Sequence, residues 1–241
     1  FPLEQVARAV FYNGSSFAER KQLIQQHYEL LQQKMADEMV LTLSMDGSYE
    51  IWHSMDEDIE WRTVLMMEPG QRKEGLMSLE MKLGTDNLYQ IMFWLAKDKA
   101  GEEALWIGAM QGPNMENAKD IIKDVTKRSF RYRTKNLILY MTMAVARALT
   151  VKHIYAVSND GYYANNHIRR DRKLKTDFGA FWEEAGGHVM DDSRFYEIPL
   201  VEPRKTMEEV PTRKRAVYRK RFAFLDEVDA MIQQNMEQIL K

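Results

Sequence analysis

The chain has 241 residues, 45% hydrophobic and 29% charged, ordinary globular usage that excludes collagen-like, coiled-coil and disordered chains. It has no cysteine, so a disulfide scaffold, thiolate zinc sites and a cysteine nucleophile are out. The net charge of −2 hides an asymmetry: residues 1–120 carry −9 and residues 121–241 carry +7. Such a split suits a polyanionic partner for the basic half, or two halves that face one another.

No run of about 18 apolar residues is present, so no spanning helix is expected. Nothing at Phe1 resembles a signal peptide, and the absence of an initial Met predicts that the numbering begins inside a longer protein. A cytoplasmic protein is expected, at most peripheral to the inner membrane.

In chain order, residues 1–16 read as an extension. Residues 17–39 read as a helix, with Leu23, Ile24, His27, Leu30, Leu31 and Met35 at helical spacing and Ser15 or Ser16 as cap. Val40–Ser44 and Tyr49–Ser54 read as a hairpin turning at Asp46-Gly47. Asp56–Glu60 is an acidic loop or edge. Gly75–Leu83 alternates like a strand, and Leu88–Ala96 and Ala104–Met110 are apolar on both faces, so they are expected at the centre of a covered sheet.

Residues 115–151 predict two helices broken near Phe130–Thr134, the second apolar almost all round and therefore buried on the sheet. A strand at His153–Ser158, a basic loop at 160–176, a short helix at 177–185 and a strand at Phe195–Leu200 follow. Residues 213–240 predict a basic amphipathic helix docked on the rest. This order describes one α/β domain over 1–241, with a strand-rich part at 17–112, an α/β part at 113–203 and a helical segment at 204–241.

Ligands in such sheets collect at the carboxyl ends of strands. Two strand ends carry polar residues. Gln111-Gly112-Pro113-Asn114 is one, with Asn114 also able to serve as a helix cap; Ser158-Asn159-Asp160-Gly161-Tyr162-Tyr163 is the other. His167 is a candidate general base because its ordinary pKa lies near neutrality. Arg169 and Arg170 suit bidentate phosphate contacts, and Arg131 and Lys135 in the cationic stretch 126–135 are further candidate phosphate contacts. The run Arg213–Arg221 offers six further basic residues; an anionic membrane surface is an option for it, and nucleic acid ranks last. The histidines are scattered and form no metal motif, so no metal is expected.

Several segments resemble one family in a single order. They are Gln26-His27-Tyr28, Glu74-Gly75, Trp106–Pro113, Lys135-Asn136-Leu137, Ala156–Asn159, Asp177–Gly187 and Pro211–Arg221. Together they are similar to the VirK/YbjX family. That resemblance implies an association with the Gram-negative envelope, with virulence and with resistance to cationic antimicrobial peptides; it brings no catalytic residues with it.

The element order also resembles the GNAT acyltransferase superfamily, in which a central strand leads to a phosphate-binding loop and helix, and the next strand splays from the first. This implies a GNAT-like mixed sheet flanked by helices. It also implies transfer of an acyl group from acyl-CoA or an acyl carrier protein to an envelope or peptide substrate. In this layout Gln111, Ser158, Asn159 and His167 line the cleft, with Ser158 and Asn159 as oxyanion donors. Residues 131–136 lack the superfamily's loop glycines, which speaks against coenzyme A, leaves open a donor held by side-chain charge, such as an acyl carrier protein or another acidic protein or peptide, and favours a non-catalytic role. The alternative is a non-catalytic protein of the same fold that holds an anionic partner or membrane surface.

Overall fold

A meander builds first. Strands β1 (Ser48–His53), β2 (Trp61–Met66), β3 (Met77–Leu83), β4 (Asp86–Lys97) and β5 (Glu103–Gln111) pair antiparallel in sequence order. Strand β6 (His153–Val157) then lies parallel to β5, and β8 (Phe195–Ile198) and β7 (His188–Val189) extend the sheet antiparallel, giving the order β1-β2-β3-β4-β5-β6-β8-β7. This computed structural model describes residues 7, 9–45, 47–67, 73–165 and 177–241.

Six helices flank the sheet among the described residues: α1 (Phe17–Lys34), α2 (Asp37–Ser44), α3 (Ala118–Arg128), α4 (Thr134–Ala148), α5 (Phe178–Glu184) and α6 (Arg215–Glu237). The result is a mixed α/β fold, as the sequence predicts. None of these helices is long and apolar enough to cross a membrane.

Helix α1 starts at a capping box, Ser16 with Glu19, and buries Ile24, His27, Leu30 and Leu31. It also completes β4. Past the last β3 partner, the Leu95 N–H donates to His27 Nδ1 (3.0 Å) and the Lys97 N–H to Gln26 Oε1 (3.2 Å). Two backbone donors that lack a strand neighbour are thereby satisfied. Helix α4 connects β5 to β6 and buries an unbroken run from Leu137 to Ala146, as its all-round apolar sequence predicts. Helix α6 covers the same layer through Leu225, Val228, Ile232 and Met236, and Gln233 Nε2 donates to the Ala144 carbonyl (2.9 Å). A smaller apolar layer, with Phe11, Leu76, Trp94 and Phe195, fills the opposite face.

The hairpin expected at 40–54 is corrected. Residues 40–44 belong to α2, and β1 pairs with β2 instead. Asp37 and Glu38 favour a helix start, and Thr42 and Ser44 hydroxyls bond back to the Glu38 and Val40 carbonyls. Five alternating residues are too few to separate the two periods. Asp46, half of the expected turn, lies outside the described residues.

Candidate functional site: the parting of β5 and β6

Pairing between β5 and β6 stops at Ile107–Ala156, yet β5 stays on β4 as far as Gln111. Strand β6 ends one residue later, at Val157, so the last four residues of β5 run on without a β6 partner. At that point β5 carries an irregularity opposite Met92 and Phe93, where Gly108 stands.

The chain segment entering β3 crosses this place. A Cβ on Gly108 would lie 1.7 Å from the Glu74 carbonyl oxygen, and one on Gly75 would lie 2.6 Å from Phe93 N. Only two glycines allow backbone to cross backbone so closely. The crossing holds Glu74, 7% exposed, so that its carboxylate accepts from the Tyr162 hydroxyl (3.1 Å) in the loop beyond β6. Tyr163 contributes a second side-chain hydrogen bond. Burial pushes the Glu74 carboxyl above its ordinary range; the two phenols and the charge of Lys73 pull it part of the way back. Burial and the Glu74 charge raise the Tyr162 phenol, so it stays protonated and keeps donating. A buried carboxylate with a raised pKa beside separated strand ends is a candidate proton acceptor.

The residues expected at the site are placed as follows. Ser158 donates to the Ser193 carbonyl (2.8 Å) and accepts from the Gly161 N–H (3.1 Å), so its hydroxyl stitches the loop. Asn159 Oδ1 accepts from the Phe178 N–H (2.7 Å) and the Gly179 N–H (3.3 Å), holding the start of α5 against the end of β6. In these contacts the oxygens of Ser158 and Asn159 serve backbone groups, because a loop leaving a strand end must satisfy its own donors first. Gln111 is exposed and lines a cavity of about 330 Å³ together with Glu80 of β3 and Asn87 and Gln90 of β4. His167, Arg169 and Arg170 lie outside the described residues.

Arg131 is exposed, and its carbonyl accepts from Arg221 (3.0 Å). Lys135 Nζ lies 4.6 Å from the Phe181 ring centre and 3.8 Å from Glu184, which also pairs with Arg133. Burial, helped by Arg133, lowers the Lys135 pKa. The start of α4 thus leans on α5, whose Trp182 indole donates to the Val157 carbonyl at the end of β6 (2.8 Å).

The loop before α4 does without glycine. Phe130 and Arg131 take φ of 51° and 62°, a left-handed shape costing about 1–2 kcal/mol each. Ser129 Oγ bonds to the Val125 and Tyr132 carbonyls, and Arg221 donates to the Phe130 and Arg131 carbonyls, which holds the shape. The contact also joins the two basic runs, 126–135 and 213–221, into one surface. Among the described residues no three His, Asp or Glu side chains gather to share a metal ion.

Glu74 is the residue that reading the sequence for chemistry passed over. Its one signal was Glu74-Gly75 standing just before a strand.

The fold and site define a mixed α/β protein whose central parallel strands part over a buried, tyrosine-held carboxylate. Residues 2–234 match the family described as "Protein of unknown function (DUF535)". The chain belongs to this family, the VirK/YbjX family. It is 32% identical over 216 residues to the uncharacterized protein YbjX of Escherichia coli, covering 87% of this chain and 65% of that protein. It is 27% identical over 177 residues to an uncharacterized protein of Haemophilus influenzae, covering 73% of this chain and 58% of the relative. A second Haemophilus influenzae protein is 26% identical over 223 residues, covering 91% of this chain and 72% of its own length. The chain therefore spans less than two thirds of the first two relatives.

Proposed function

We propose that this protein transfers an acyl group from a thioester donor to a nucleophile on an envelope or peptide substrate, with Glu74 as the base. The observation that carries this reading is the parting of β5 from β6 beside the buried Glu74 carboxylate. The strand order, with one parallel pair at the centre and helices α3 and α4 between its members, agrees with the acyltransferase layout. In the step proposed, Glu74 takes the proton of an acceptor amine or hydroxyl. The freed nucleophile forms a bond to the thioester carbonyl carbon, the carbon–sulfur bond breaks, and the proton returns from Glu74 to the departing thiolate. Tyr162 is a positioning residue that aims the carboxylate. The joined basic surface of residues 126–135 and 213–221 suits an acidic donor such as an acyl carrier protein, with acyl-CoA as the small-molecule donor. His167 is the competing base.

The test is mass spectrometry of the purified chain incubated with acyl-CoA or acyl carrier protein and candidate acceptors. Glu74→Gln should lower the transfer rate by about 10²–10⁴-fold. A loss on His167→Ala with Glu74→Gln unaffected would move the base to His167. Indifference to every donor would leave the binding reading. That second reading has its own observation: Arg133 and Lys135 at the start of α4 are both tied to Glu184, so α4 offers a phosphate fewer free cations. Vesicle binding that weakens with salt and ignores Glu74→Gln would support it.

A further inference from the structure

A row of polar side chains crosses the inside of the sheet. Glu80 on β3 stands opposite Gln90 on β4, and Gln90 stands opposite Gln111 on β5. Central strands of a covered sheet are usually apolar, and the flanking positions here are. Yet Gln90 is 3% exposed and Glu80 5%, and Ser78, one step along the same side of β3, is 0% exposed.

Their hydrogen bonds are unevenly met. Glu80 is fully used: one oxygen accepts from Asn87 Nδ2 (3.0 Å) and the other pairs with Lys82 (2.8 Å), which also cancels its charge. Among the described residues, Gln90 Nε2, Asn87 Oδ1 and Ser78 Oγ have no partner. An unmet buried polar group costs about 1–3 kcal/mol, so three in one neighbourhood need an explanation. Glu80, Asn87, Gln90 and Gln111 line the same cavity, whose volume is about 330 Å³, enough for a small organic group.

We propose that this cavity binds an uncharged amide, the peptide group or carboxamide of a small ligand. The complement is specific. Gln90 Nε2 is a donor that needs a carbonyl, and Asn87 Oδ1 is an acceptor that needs an N–H. An amide carries both on adjacent atoms. A carboxylate or ammonium ligand is disfavoured, because the one buried charge at the site is already neutralised by Lys82. Binding at this cavity stands or falls without the transfer chemistry proposed for Glu74.

The test uses the full chain labelled with ¹⁵N and the probe N-acetylglycine N-methylamide, with acetamide separating a free carboxamide from a peptide group. Methyl acetate, which accepts only, is the control. The side-chain amide signals of Gln90 and Asn87 should shift saturably with either amide at millimolar concentrations, roughly the affinity open to so small a ligand. Gln90→Leu should weaken binding at least about tenfold and should raise Tm, because it removes an unmet donor. Gln90→Met serves if the leucine variant does not fold. Equal shifts with methyl acetate, unchanged binding in both Gln90 variants, or no saturable shift with either amide would overturn the proposal.

Discussion

Among the described residues, burial raises the carboxyl of two glutamates that pair with tyrosines, the buried Glu74 and the half-buried Glu202, and their surroundings differ. Glu74 accepts from Tyr162 (3.1 Å) where β5 and β6 part. Glu202 accepts from Tyr132 (2.5 Å) beside the contact of α4 with α6. Burial raises both carboxyls. Glu202, however, lies under the charges of Arg204 and Arg221. Arg204 also binds the Tyr140 hydroxyl (3.0 Å) and Asp226 (2.7 Å), and Arg221 holds the left-handed loop at Phe130. That pair is one link in a clasp of loop and helices. Glu74 has phenols and two glycines around it, and among the described residues the charge that bears on it is that of Lys73. The same chemical pair thus serves as a fastener where cations lock it and as a candidate base where the backbone opens beside it.

The largest expected difference is in transfer rate. Glu74→Gln should remove about 10²–10⁴-fold, and Glu202→Gln should leave the rate within about twofold while lowering Tm. A rate loss in Glu202→Gln as large as in Glu74→Gln would break the contrast. Next comes the crossing that holds Glu74. Gly108→Ala puts a Cβ 1.7 Å from a carbonyl oxygen, so it should destabilise by about 4 kcal/mol or more. Gly101→Ala is the control: φ is +86° but nothing lies within 4 Å, so only the left-handed cost of about 1–2 kcal/mol applies. Equal losses measured by urea unfolding would mean that the crossing is soft.

Much of this layout is legible in the sequence. The apolar runs of β4 and β5, the buried α4 and the break at Phe130–Thr134 are set by local patterns that tertiary contacts reinforce. Strand β2 was not singled out, because Trp61–Met66 is short and has no turn signal before it. Residues 40–44 mislead for the converse reason: their short alternation masks the acidic helix start at Asp37 and Glu38. The strand ends at Gln111 and Ser158–Tyr163 were found as polar segments, but what their side chains do was not. Ser158 and Asn159 look like catalytic donors in sequence and bond to backbone in space. Glu74 is brought to the site by a chain crossing that no local pattern encodes.

The pH dependence of stability separates the pairs from the rest of the core. A carboxyl raised on folding binds its proton more tightly when folded, so its contribution is full below the unfolded pKa and is lost as pH rises through the folded value. Glu74→Gln and Glu202→Gln should therefore each flatten the fall in stability above about pH 4.5. His27 acts on the other side. It is fully buried, and desolvation lowers it from 6.5 to about 3. Its contribution is present above the unfolded value and is lost as pH falls from 6.5 toward 3, by about 1.4 kcal/mol per unit at most. Urea midpoints across pH 3–8 check both signs; a Glu74→Gln curve parallel to wild type would remove the titration from that site.

The smallest effect tests the clasp directly. Tyr132→Phe deletes one hydroxyl and keeps the ring under the Arg221 guanidinium, 5.8 Å away. Glu202 then loses its shortest hydrogen bond but keeps the charges of Arg204 and Arg221 beside it. The cost should be about 1 kcal/mol, with no change in transfer rate. Tyr162→Phe deletes the same atom from the other pair, where Tyr163 and the charge of Lys73 remain to hold the carboxylate. It should cost no more in stability, yet slow transfer several-fold, because Glu74 then turns more freely against its target. If both variants shift Tm alike and neither alters the rate, the two pairs are equivalent fasteners, and the parting of β5 and β6 loses its claim to the base.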